Sequence, residues 1–255
     1  MGNLDPVWLV LAGFGGGIAG SVAGLASLVS YPALLAVGLS PVTANVSNTV
    51  ALVFSSVGSV WGSHPELRGQ RARARRLGYV AVGGGITGGV LLLSTPSGDF
   101  ALIVPWLIGL ASLGILVPRR PVREPQDGLA PGASARATAA VTVGVFAIAV
   151  YGGYFGAGAG VLLLALLLFS ADDPLARSNA MKNLLLGLAN AVAAVAFVAF
   201  GPVRWSAAIP LAAGFLVGGR LGPILVRRAP AGPLRAVVAC AGLGLAVHLA
   251  LDAYG

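Results

Sequence analysis

The chain has 255 residues, of which 57% are hydrophobic and only 9% are charged. Soluble domains carry about a quarter of charged residues, so this composition excludes an ordinary soluble protein. The net charge of +8 does not indicate nucleic-acid binding, because the arginines are confined to short breaks between apolar runs. That distribution is typical of the cytoplasmic loops of membrane proteins.

Two long stretches of the chain contain no Asp, Glu, Lys, Arg or His. They are residues 6–63 and 137–171. A helix needs about 20 apolar residues to cross the hydrocarbon, so each stretch must hold more than one helix. The alternating pattern of a membrane β-barrel is missing, and helices satisfy their own backbone groups in lipid. We therefore predict an all-α, multi-pass transmembrane bundle in the plasma or inner membrane, with the lipid bilayer as a partner.

Each half of the chain predicts two short helices followed by three full-length helices. In the first half these helices are predicted at 7–20, 25–38, 43–62, 77–94 and 99–117. In the second half they are predicted at 138–151, 158–171, 179–200, 205–226 and 234–252. The short helices of each pair meet at a glycine-rich break. Each pair either crosses the membrane or enters it and returns as a re-entrant hairpin.

The two halves of the chain match when the sequence is shifted by 134 residues without gaps. Asn45 then falls on Asn179, and Gly24 falls on Gly158. One shift that serves the whole chain indicates an internal duplication. The predicted units are a first transmembrane repeat at 1–121, a cytoplasmic linker at 122–134 and a second transmembrane repeat at 135–255.

Equivalent loops of the two repeats differ in their arginine content. The loop at 64–76 contains five arginines, whereas its counterpart at 198–210 contains only Arg204. Since arginine-rich loops remain cytoplasmic, the equivalent loops should face opposite sides of the membrane. This predicts inverted-topology repeats with both termini outside. Inverted repeats with broken helices are typical of secondary transporters, whose substrate site lies near the middle of the membrane at the repeat interface.

Polar residues begin the third helix of each half. Asn45 and Asn48 are three residues apart and share a helix face, as do Asn179, Lys182 and Asn183. Polar side chains inside a bilayer are costly and are commonly functional. Lys182 is the only lysine of the chain. The alternative, that these side chains cap helices and join neighbouring helices, stays open.

The glycine-rich breaks offer a second set of groups to an anion, because helix N-termini carry free N–H groups and a partial positive charge. No carboxylate lies deep in a predicted helix, so we expect a small anionic substrate. The predicted substrate-binding residues are Asn45, Asn48, Asn179, Lys182, Asn183, Gly24, Gly156 and Gly158.

Other classes of function fit the sequence less well. An enzyme is not expected, because His64 and His248 are isolated and no catalytic motif accompanies them. No catalytic residue, metal or cofactor is predicted. An anion channel is the alternative to a carrier, since both use helix dipoles and polar linings. A homo-oligomer is possible. Arg220 is a second candidate for an intramembrane cation, although a position near a cytoplasmic helix end is equally open.

Several segments carry a resemblance to a known family. They are the duplicated glycine-rich segments GSVAGLASLVSYPALLAVGLSP and GGYFGAGAGVLLLALLLFSADDP, the motifs ANVSN and SNAMKN, and GGRLGPILVRR near the end. The chain resembles the sulfite exporter TauE/SafE family over nearly its whole length. This family is also described as the 4-toluene sulfonate uptake permease family. The resemblance implies a bacterial plasma-membrane transporter that often exports sulfur-containing or related organic anions.

Overall fold

A computed structural model of the chain describes residues 5–116, 135–170 and 173–226, together with 240, 243–244, 246–251 and 254. The helices are α1 (Asp5–Ala23), α2 (Ala26–Ala36), α3 (Pro41–Gly62), α4 (His64–Leu67), α5 (Arg71–Ser94), α6 (Ser97–Leu116), α7 (Ala135–Tyr154), α8 (Ala159–Ser170), α9 (Leu175–Phe200) and α10 (Trp205–Val226). The predicted all-α architecture is confirmed. The linker at 122–134 and most of the predicted last helix at 234–252 lie outside the described residues.

Four of these helices are long and apolar enough to cross a membrane. They comprise residues 6–23, 71–94, 175–200 and 205–225. Further apolar helices are shorter, and α3 carries several Asn, Ser and Thr side chains. The chain is therefore a multi-pass membrane protein.

Each half begins with a helical hairpin that turns at glycine. Between α1 and α2, Gly24 has a φ of +79°, and between α7 and α8, Gly156 and Gly158 have φ values of +76° and +72°. Glycine adopts this left-handed conformation without steric cost. α2 then runs back along α1, since a Cβ atom at Gly20 would lie 2.6 Å from the Cβ of Ala26. The helices are thus interrupted at the predicted glycines.

The expectation that both helices of each hairpin are short is wrong for the first helix. α1 has 19 residues and α7 has 20, whereas α2 and α8 have 11 and 12. The glycines within α1 do not interrupt this helix. They instead allow α10 to approach it closely. A Cβ atom at Gly13 would lie 2.2 Å from the carbonyl oxygen of Leu211 in α10. Close approach over small residues is a common way for membrane helices to pack.

The two halves exchange one helix with each other. α10, from the second half, packs on α1 and α3, and we call the group α1, α2, α3 and α10 the first bundle. α5, from the first half, packs on α7 and α9, and we call α5, α7, α8 and α9 the second bundle. The second bundle has an apolar core of its own, which includes Leu77, Leu167 and Met181. Each half thus gives one helix to the bundle of the other half. That the halves are repeats with opposite orientations in a membrane stays a prediction.

Candidate functional site

The tips of the two hairpins touch through glycine backbone. A Cβ atom at Gly24 would lie 2.3 Å from the carbonyl carbon of Gly160, and a Cβ at Gly160 would lie 2.4 Å from the Cα of Gly24. Residues larger than glycine would force the tips apart at this point. The contact brings the N-terminus of α2, at Ala26, close to the N-terminus of α8, at Ala159.

A cavity with a volume of about 50 Å³ lies at this junction, between α3 of the first bundle and α9 of the second. Each water-sized group requires about 10–15 Å³, so a few such groups fit. The polar side chains in its wall are Ser21, Ser27, Ser55, Ser56, Ser59, Asn183 and Asn190. The remaining lining residues are Gly20, Gly24, Ala26, Leu52, Gly152, Gly156, Ala159, Gly160 and Leu186. All of these lining residues are uncharged.

The cavity is suited to an anion because two helices begin at its wall. Ala26 and Ser27 belong to the first turn of α2, and Ala159 and Gly160 belong to the first turn of α8. The residue before α2, Leu25, gives no side-chain cap to the N–H groups of that turn. In α8 the N–H groups of Ala159 and Val161 already donate to the carbonyl oxygens of Gly156 and Gly158. The first turn of α2 therefore offers most of the free N–H groups, and the positive ends of both helix dipoles favour a negative ligand. Serine hydroxyl groups and asparagine amide groups add further donors.

The residues predicted to bind substrate fall into three places. Gly24, Gly156 and Asn183 line the cavity. Asn45, Asn48, Asn179 and Lys182 are buried behind its wall, each with 2% or less of its surface exposed. Gly158 lies on another side of the hairpin tip, where it lines an apolar pocket of about 310 Å³ between α6, α7 and α8.

Two of the buried amides hold the hairpins by the ends of their first helices. The Nδ2 of Asn179, in α9, donates to the carbonyl oxygen of Ser21 at 2.8 Å. The Nδ2 of Asn45, in α3, donates to the carbonyl oxygen of Tyr154 at 2.8 Å. Carbonyl groups at a helix C-terminus lack partners within the helix, so each amide caps the first helix of the opposite half.

Lys182 binds at the same helix end as Asn179. Its Nζ donates to the carbonyl oxygens of Gly20 and Ser21, at 3.0 and 3.3 Å, and its side chain has no exposed surface. Asn183 adds a longer bond of 3.5 Å to the carbonyl oxygen of Ser21. A cation at this position is stabilised by the negative end of the α1 dipole.

An acidic side chain near Lys182 in the sequence has other partners. Asp173 forms an ion pair with Arg73 at the start of α5, and it lies 4.0 Å from the Nε of Arg177. Arg177 also donates to the carbonyl oxygen of Arg68 at 3.4 Å. These contacts join the starts of α5 and α9 at the end of the molecule that carries the arginine-rich loop. The neighbouring Asp172 lies outside the described residues.

Asn48 occupies the position in the first half that Lys182 occupies in the second, but it contacts its own hairpin. Its Oδ1 accepts from the hydroxyl group of Ser30 at 2.6 Å, and its Nδ2 donates to the Oγ of Ser27 at 3.2 Å. Because Ser27 lines the cavity, Asn48 fixes the orientation of a lining hydroxyl group rather than lining the cavity itself.

Several lining residues were missed by the sequence analysis. They are Ser21, Ser27, Ser55, Ser56, Ser59 and Asn190. A helical spacing could have indicated some of them, since Ser55 and Ser59 are four residues apart on α3 and Asn190 is seven residues beyond Asn183 on α9. Serine is common in membrane helices, however, and the spacing does not show which helix lies opposite.

A multi-pass helical bundle in which two glycine-tipped hairpins meet at an uncharged polar cavity is typical of a membrane transport protein. The chain belongs to the sulfite exporter TauE/SafE family, whose model matches residues 9–249. Members of this family are membrane transporters of sulfur-containing anions rather than enzymes. No match was found among curated proteins or among solved structures.

Proposed function

We propose that this protein is a secondary transporter that exports small sulfur-containing or organic anions, such as sulfite or sulfonates. The cavity at the hairpin tips carries this proposal, because it combines two helix N-termini with hydroxyl and amide donors. Oxyanions accept hydrogen bonds from several directions, and such a wall can supply them. Membership of the sulfite exporter TauE/SafE family supports the same class of substrate.

The uncharged wall is suited to transport rather than to tight storage of the anion. A buried cation in the wall would hold an anion strongly and slow its release. Here the nearest buried cation, Lys182, has its Nζ on main-chain carbonyl groups of α1 and is absent from the cavity lining. Helix dipoles and neutral donors bind the anion more weakly, which favours its release to the other side.

Alternating access in this proposal moves the first bundle against the second. The cavity lies between α3 and α9, so sliding or rocking of these two helices exposes it to one side of the membrane and then to the other. The hairpin tips of both bundles meet there through Gly24 and Gly160. The family supports export across a plasma or inner membrane, and the arginine distribution supports a cytoplasmic location for the arginine-rich loops.

Transport by purified protein in proteoliposomes tests this function. Vesicles loaded with sulfite, a sulfonate or thiosulfate should take up the same labelled anion by counterflow, as a carrier requires. Ser59→Ala removes a lining hydroxyl group and should lower the rate roughly three- to tenfold, the value of one hydrogen bond. Ser94→Ala, at an exposed end of α5, is the matched control and should transport normally.

The same preparation distinguishes the carrier from a channel. Unitary currents in planar bilayers, without counterflow, would assign the protein to the channel class. Absence of both counterflow and current with every sulfur-containing anion tested would reject the proposed substrate class.

A further inference from the structure

A stacked pair of side chains that does not line the cavity lies on the outer surface of the first bundle. The guanidinium carbon of Arg220, in α10, lies 3.9 Å from the centre of the Trp61 ring, in α3. Arg220 is exposed, and Trp61 is 60% exposed. A cation over an indole face is attracted by the electron-rich ring, so the stacking holds the guanidinium in one orientation.

The backbone around Arg220 is fixed by close helix packing. A Cβ atom at Gly58 would lie 2.9 Å from the amide nitrogen of Arg220, and a Cβ at Gly62 would lie 2.6 Å from its carbonyl oxygen. α3 and α10 are therefore in backbone contact at this level. The arginine side chain cannot enter the bundle here, and it extends outward across Trp61.

The stacked guanidinium keeps its N–H donors available. Among the described residues, the ion pairs engage Arg73 and Arg177, and the contact found for Arg220 is the indole face. An arginine on the lipid-facing surface of an apolar helix is costly unless it reaches an anionic group at the interface. Trp61 is the penultimate residue of α3 and so marks the interface, where tryptophan is enriched.

We propose that Arg220 and Trp61 form a binding site for the headgroup of an anionic phospholipid. The planar guanidinium matches the phosphate oxygens with two parallel hydrogen bonds. An acyl chain can extend from there towards the start of α10, along the exposed residues Val217, Ala213 and Ile209 of the same face. The site lies at the end of α3 and α10 that the arginine-rich loops predict to be cytoplasmic.

The opposite end of α10 provides a matched control. Arg204 and Trp205 are both exposed and adjacent in sequence. Among the described residues, however, no arginine stacks on the Trp205 ring as Arg220 does on Trp61. If an interfacial arginine and tryptophan were sufficient, both ends would attract the same lipid. The stacked geometry predicts that the end with Arg220 attracts the lipid more strongly.

Quenching of tryptophan fluorescence by brominated lipid measures the lipid composition beside each ring. Variants that keep one tryptophan, either Trp61 or Trp205, are placed in vesicles of phosphatidylcholine with a minority of phosphatidylglycerol. Bromine is carried on the acyl chains of one lipid at a time. Trp61 should report a roughly fivefold enrichment of phosphatidylglycerol, the effect of one basic residue at a membrane surface, and Trp205 should report less.

Arg220→Gln in the variant that keeps Trp61 should remove this enrichment, whereas Arg204→Gln should leave it intact. If the two lipids quench Trp61 equally in the protein that keeps Arg220, the proposal is overturned. Weak quenching by both lipids would overturn it as well, because the ring would then be covered by protein. Enrichment that persists in Arg220→Gln would assign the lipid preference to other residues.

Discussion

Asn45 and Asn179, which are separated by 134 positions, make the same bond in opposite halves of the protein. Each donates its amide to a main-chain carbonyl group at the end of the other half's first helix, that of Tyr154 or of Ser21. The third helix of one half thereby fixes the hairpin of the other. The buried amides are thus part of the frame around the cavity, and the cavity wall itself consists mainly of serine and glycine.

The two amides should differ in their contribution to stability. The carbonyl oxygen of Ser21 also accepts from Lys182, whereas Asn45 is the donor found for Tyr154 among the described residues. Asn45→Ala should cost about 1–3 kcal/mol, the penalty for an unpaired buried carbonyl, and Asn179→Ala should cost less. Thermal unfolding of the purified variants measures this difference. Thr87→Ala, at an exposed position, is the control and should change stability by less than about 0.5 kcal/mol. Unchanged stability of Asn45→Ala would contradict the capping role of Asn45.

Lys182→Met should lower both stability and transport. The methionine cannot donate to the carbonyl groups at the end of α1, and a hydrogen bond from a charged group contributes about 1.5–3 kcal/mol. Lys182→Arg keeps the charge and should retain part of the transport. Asp173→Asn should not rescue Lys182→Met, because Asp173 pairs with Arg73. Rescue in the double variant, measured by thermal unfolding and counterflow, would instead assign Lys182 to an ion pair.

Gly24→Ala should lose transport, and Gly38→Ala should not. Both glycines have a positive φ, +79° and +86°, so alanine costs each of them about 1–2 kcal/mol of backbone strain. Only Gly24 also faces backbone, at 2.3 Å from Gly160, whereas no atom lies within 4 Å of a Cβ at Gly38. Counterflow rates at equal protein amounts in the membrane separate the two effects. Normal transport by Gly24→Ala would show that contact of the hairpin tips is not required.

A disulfide between α3 and α9 should stop transport. A Cβ atom at Gly187 would lie 2.7 Å from the Cβ of Ser56, so cysteines at these positions can be oxidised after a small shift. The experiment uses a Cys240→Ser background. Oxidation should abolish counterflow because it joins the two bundles across the cavity, and reduction should restore it.

The control disulfide lies within one bundle. A Cβ atom at Gly89 would lie 3.3 Å from the Cβ of Ala193, and both residues belong to the second bundle. Oxidation of cysteines at 89 and 193 should leave transport largely intact. If this pair stops transport and the pair at 56 and 187 does not, the bundles are not the units that move.

The sequence by itself determined the local features of this protein. Apolar runs indicated where most of the described helices lie, because a backbone in lipid must satisfy its own hydrogen bonds, but they did not give the full lengths of α1 and α7. Gly24, Gly156 and Gly158 marked the turns, because a left-handed residue there requires glycine. The shift of 134 residues aligned Asn45 with Asn179, and these two side chains make equivalent hydrogen bonds.

Only the tertiary structure decided which helices meet and which side chains face the cavity. The exchange of α5 and α10 between the halves depends on glycine contacts such as Gly13 with Leu211, across nearly 200 positions. The shift of 134 residues aligns Asn48 with Lys182, yet Asn48 bonds to its own hairpin and Lys182 bonds to the opposite one. A polar side chain in a membrane helix must bond to whatever group lies across from it, and that group comes from a distant part of the chain.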